Sequence, residues 1–100
     1  MSPYFNIQLF HMDRKLCAAA RYRLDWSIDR LAIQSGVSAL AIEQYESGFR
    51  KLKPISLQAI AYAFEAEKLM FFPGQPVMTG GNVRGACPDP RLSSDYSQIE

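Results

Sequence analysis

Two short apolar patterns flank Gly36-Val37-Ser38, and their spacing constrains this chain more than any other feature. Leu31 and Ala32 precede the turn; Ile42 and Tyr45 follow it. Ala32 is small where the next helix must cross over it. Gly36 supplies a left-handed position at a helix end without a Cβ clash. Val37, Ile42 and Tyr45 are placed to anchor the second helix on a core. Its opposite face would then present Ser38, Ala39, Leu40, Glu43 and Gln44. Two short helices joined by a three- or four-residue turn containing Gly make a helix-turn-helix unit. Residues 38–46 would give a helix about 13 Å long, a length suited to a DNA major groove.

The neighbouring segments also read as helices. Asp13 can cap a helix over 14–24, with Leu16, Ala19, Ala20 and Leu24 on one face. Ser27 can cap the next, with Asp29 favourable in its first turn and Ile28, Leu31 and Ala32 pointing inward. Ser38 caps the third, with Leu40, Ala41, Ile42 and Tyr45 as its apolar residues, and Ser47-Gly48 ends it. After the loop FRKLKPI, Leu57, Ile60, Ala61 and Phe64 give helical spacing to a fourth helix starting near Ser56.

Outside this region the signals change. Phe5, Ile7 and Leu9 alternate with Asn6 and Gln8, a strand pattern. Leu69, Met70, Phe71 and Phe72 form a short apolar run that can return through Asn82, Val83 and Arg84 after Gly80-Gly81. Residues 73–100 hold four of the six glycines and four of the six prolines, which disfavours long helices there. From residue 86 the chain is polar and without apolar period, and reads as a flexible tail.

Length and composition narrow the function. One hundred residues, 48% hydrophobic and 21% charged, suit a single folded domain with a small core. The net charge of +1 conceals a division. Residues 14–54 carry eight Lys and Arg against four Asp and Glu, a net +4, and the rest carries −3. The basic part attracts polyanions. No apolar run approaches the roughly 20 residues that span a bilayer, so no membrane association is expected. The N-terminus lacks the basic flank of a signal peptide, and two cysteines, Cys17 and Cys87, make no disulfide framework; a reduced, cytoplasmic setting is expected. His11 stands alone, so neither a metal site nor a histidine-based catalytic pair is expected. There is no Gly-rich phosphate loop and no nucleophile elbow. The chain reads as a non-enzyme with no cofactor.

The stretch SIDRLAIQSGVSALAIEQYESGFRKLKP, residues 27–54, resembles the lambda-repressor/Cro type (XRE-like) of helix-turn-helix transcriptional regulators. The resemblance runs from about Leu16 to Phe72. Its most specific part is L-A-x-x-x-G-V-S-x-x-x-I-x-x-x-E-x-G-x-x-x-x-x-P, with every named position filled. It implies a mainly α fold: a lambda-repressor-like domain of four to five helices over residues 1–85, with a helical core at 14–68 and the helix-turn-helix at 27–46. A small β element from 4–10, 69–72 and 81–84 and a flexible tail at 86–100 complete the expectation.

The resemblance also implies roles. Ser38, Ala39, Leu40 and Gln44 match positions that contact bases or nearby phosphates. The Gln44 amide can read adenine at N6 and N7, whereas Ala39 and Leu40 can offer only apolar contact, for example to a thymine methyl. Glu43 opposes phosphates and would act as a cytosine reader, a specificity filter or a merely exposed residue. Arg50, Lys51 and Lys53 would hold phosphates. Arg21 and Glu46 match a pair that locks the first helix to the third. The sequence departs from the family at Ile28, where a phosphate-binding Gln is common, and at Asp25, where Gly is usual. The implied function is a repressor that binds a palindromic operator in double-stranded DNA as a homodimer. The alternative is a protein-interaction module on the same fold, such as an antitoxin or accessory protein with a protein partner.

Overall fold

Capping and apolar spacing set out four helices in the computed structural model, which describes residues 13–67, 69–70, 78–79 and 89–100. Helix α1 (Arg14–Arg23) begins where the Asp13 carboxylate accepts the Leu16 N–H at 2.8 Å. Helix α2 (Ile28–Ser35) begins at Ser27, whose hydroxyl accepts the Arg30 N–H at 3.0 Å. Gly36 ends it at φ +80° and closes on the Ala32 carbonyl at 2.9 Å. Helix α3 (Ala39–Glu46) follows after Ser38, whose hydroxyl accepts the Ala41 N–H at 3.2 Å. Each such cap satisfies a donor that the helix itself cannot.

Helix α4 (Pro54–Ala66) starts two residues before the expected Ser56. Pro54 takes the first helical position, where a missing N–H leaves nothing unpaired and its fixed φ suits the helix. The described residues are therefore mainly helical, and none of their helices is long and apolar enough to cross a membrane.

The core lies where the helices meet. Leu31 from α2, Val37 from the turn, Ile42 from α3, and Ile60 and Phe64 from α4 are all buried. Trp26 stacks on Phe64 with ring centroids 5.9 Å apart. Complete burial of a side chain such as Phe64 contributes about 1.5–3 kcal/mol relative to exposure.

Helix α1 corrects one expected face. Cys17, Ala20 and Arg21 are buried, Leu16 and Leu24 are half-buried, and Ala19 is exposed. Arg21 turns inward because it has a carboxylate partner on α3, so the buried stripe is partly polar.

The expected β element is partly present. Leu69–Met70 (β1) pairs antiparallel with Met78–Thr79 (β2), in the register Leu69 to Thr79 and Met70 to Met78. The partner thus precedes Gly80-Gly81, and the interval between the strands carries the Pro73-Gly74 turn signal instead. Segments 4–10, 71–72, 81–84 and 86–88 lie outside the described residues, as do His11 and Cys87.

Residues 89–100, expected as part of a flexible tail, take up a defined course. Two 3₁₀ turns, Pro90–Leu92 and Ser94–Gln98, pack on α4. Asp89 and Ser93 cap them, accepting the N–H groups of Arg91 and Asp95. Their long-range contacts leave no periodic apolar signature in the sequence.

Candidate nucleic-acid interface

The turn between α2 and α3 is held from inside. Ser35 is buried; its hydroxyl donates to the Leu31 carbonyl at 2.7 Å and accepts the Val37 N–H at 3.1 Å. This satisfies the turn without an exposed side chain, and Val37 and Ile42 then seat α3 on the core. Ser38, Leu40 and Glu43 are consequently exposed, and Ala39 and Gln44 are half-buried. Leu40 is 60% exposed, so its apolar side chain is presented outward and does not serve the core.

The cations follow α3 directly. Lys51 and Lys53 are exposed and Arg50 is half-buried. Arg50 Nη1 donates to Gln44 Oε1 at 3.4 Å, which ties the candidate base reader to a candidate phosphate ligand. Leu52, between the two lysines, is buried and anchors the loop that carries them.

Arg21 and Glu46 are brought together as a two-point pair. Arg21 Nε donates to Glu46 Oε2 at 3.0 Å and Nη2 to Oε1 at 2.8 Å. The remaining Arg21 Nη1 donates to the Trp26 carbonyl at 3.0 Å. Cys17 Sγ adds a contact to Glu46 Oε2 at 3.4 Å. The pair joins α1 to α3 and thereby orients the exposed face of α3. Burial, the Glu46 charge and its hydrogen bond push the Cys17 thiol well above its ordinary pKa, against the opposing effect of Arg21.

Glu100 was not singled out by the sequence. Its Oε1 accepts from Arg50 Nη2 at 2.7 Å, and its Oε2 accepts the Lys53 N–H at 2.8 Å. Its main-chain oxygen accepts the Ser38 N–H at 2.7 Å, and its own N–H donates to Ser56 Oγ at 3.2 Å. Burial would raise the Glu100 pKa, but donors from Lys53, Ser56 and Arg50 outweigh it and hold the carboxyl below the usual range. No local sequence signal foretells these contacts, which span 44 residues to Ser56 and 50 to Arg50.

Among the described residues no cluster of three His, Cys, Asp or Glu side chains is placed to hold a metal ion. Comparisons with protein-family models, with curated proteins and with solved structures give no match to this chain.

Proposed function

We propose that the chain is a lambda-repressor-like helix-turn-helix protein that binds double-stranded DNA sequence-specifically. In this reading it acts in the cytoplasm as a homodimeric transcriptional regulator, most simply a repressor. The observation that carries the reading is the outward face of α3 followed directly by Arg50, Lys51 and Lys53. A helix of this length fits the major groove, and cations beside it can hold the phosphates that fix its register. Gln44 reads base edges, Leu40 makes apolar contact and Ser38 sits near the backbone. Two copies would place their α3 helices in successive major grooves, about 34 Å apart.

Selection of bound duplexes from a random DNA pool at near-physiological salt tests this. Enrichment of an inverted repeat with half-sites one helical turn apart is expected. If a folded sample enriches no motif, the reading fails. A protein-interaction module then becomes the better account, and the exposure of Leu40 and Phe49, 60% and 86%, is what favours it.

A further inference from the structure

Glu100 stands on one of the cations that the DNA reading assigns to phosphate, the Arg50 guanidinium, and on the main chain of a second, Lys53. Its two carboxylate oxygens take one N–H from the Arg50 guanidinium and one from the Lys53 backbone, at 2.7 and 2.8 Å. Its main-chain oxygen takes the Ser38 N–H, at the start of α3. An anion with several oxygens facing a guanidinium and backbone donors is also how a DNA phosphate is held. The Glu100 side chain is only 8% exposed, so the position is filled rather than grazed.

We propose that segment 89–100 masks the DNA-binding face, with the Glu100 carboxylate taking the place of a DNA phosphate between Arg50 and Lys53. This inference rests on the DNA-binding reading and adds its regulation. Duplex and docked segment compete for the Arg50 guanidinium and for the space between it and Lys53, so DNA binding requires the segment to leave. The segment also repels DNA, since Asp89, Asp95 and Glu100 stand against Arg91 alone.

The docking is built to be reversible. Two 3₁₀ turns of three and five residues carry it, with Pro90 buried and Tyr96 and Ile99 half-buried. Leu92 is 86% exposed and contributes nothing to the hold. A recess of about 330 Å³, lined by Ile33, Tyr62, Ala63, Arg91 and Tyr96 among others, separates part of the segment from α2 and α4. Glu100 itself is absent from the hydrophobic cluster that α1–α4 form.

The test compares the full chain with Glu100→Gln and Ile99→Ser, using a random-sequence duplex as probe and amide hydrogen exchange as a second readout. If docking holds the free protein about 90% masked, each released variant binds the duplex about tenfold more tightly. Exchange at Ser38 and Lys53 should rise in both variants without loss of helicity. In the wild type, added duplex should expose the amides of residues 95–100. Asp95→Asn removes the same charge from the segment at an exposed position and should change affinity far less. Equal gains from Asp95→Asn and Glu100→Gln would reduce the effect to general electrostatics and overturn the masking. So would unchanged affinity in the released variants, or a segment still protected in the DNA complex. In those cases DNA is bound and the functional reading stands. If neither the wild type nor either released variant binds duplex, the functional reading itself fails and masking fails with it.

Discussion

Arg21 and Glu46 meet through two parallel hydrogen bonds, 2.8 and 3.0 Å long, with each side chain only 9% exposed. Such a pair is weak evidence of net stabilisation, because desolvation offsets the attraction. Removing one partner is a different matter, since it strands a buried charge. Glu46→Ala should destabilise the domain by about 3–5 kcal/mol in urea unfolding. Arg21→Ala should do the same and also leave the Trp26 carbonyl without its 3.0 Å donor. A loss below about 1 kcal/mol in both would show that the site relaxes to admit water.

How legible each contact is in the sequence follows its range along the chain. Caps such as Asp13, Ser27 and Ser38 act on N–H groups three residues away, so local sequence reveals them. Gly36 is legible for the same reason. Arg21 and Glu46 are 25 residues apart, and only the resemblance to a known pattern joined them. The docking of 89–100 depends on contacts across 44 and 50 residues and on no periodic apolar face. Polar composition correctly signalled a segment without long helices, but it cannot reveal a partner elsewhere. On α3 the free face was legible because Val37, Ile42 and Tyr45 define what is buried.

Cys17 should be chemically silent in the native protein. It is fully buried, and burial together with the Glu46 charge disfavours the thiolate, the reactive form. Brief alkylation near neutral pH followed by peptide mapping should leave Cys17 unmodified until denaturant is added. Rapid native labelling would mean that α1 opens readily from α3.

Two left-handed positions predict opposite signs. Asp25 lies at φ +56°, a conformation that side chains bearing Cβ adopt at a cost, and it occupies the place where Gly is usual in the resembled family. Asp25→Gly should raise stability by up to about 1 kcal/mol, the relief being partly offset by greater freedom of the unfolded chain. Gly36 lies at φ +80°, and a Cβ there would stand 3.2 Å from Tyr96 Oη. Gly36→Ala should destabilise by about 1–2 kcal/mol and loosen segment 89–100 as well. Thermal melts of the two variants should shift in opposite directions.

Acid should undock segment 89–100. The Glu100 carboxyl is held below its ordinary value of 4.5 when docked. A depressed carboxylate adds stability that is complete above the undocked value and fades as pH falls through the docked one. The charged and donor groups facing it are the Arg50 guanidinium, the Lys53 N–H and Ser56. Guanidinium does not titrate in this range, so the carboxyl is the group in this cluster that changes. Docking, followed through backbone amide shifts of Ser38 and Lys53, should be independent of pH from 5 to 7 and weaken below about pH 4. In Glu100→Gln this acid step should vanish, and its persistence would place the titration elsewhere.

The proposed DNA binding predicts that Gln44 and Lys51 variants fail differently. Gln44 is half-buried on α3 and its amide oxygen is already oriented by Arg50. A base reader loses discrimination at the position it touches, so Gln44→Ala should relax preference at one base pair, by about 1–3 kcal/mol of discrimination. Lys51 is exposed on the loop after α3, and the proposed role gives it a phosphate contact only. A phosphate contact carries a counterion-release penalty but no sequence information, so Lys51→Ala should weaken all duplexes alike. Its slope of log affinity against log salt should become shallower by about 1. Titrations of both variants against an enriched site, its single-base variants and an unrelated duplex, each at several salt concentrations, separate the two roles. A uniform loss for Gln44→Ala across all duplexes would remove it from base readout and leave sequence selection to duplex shape.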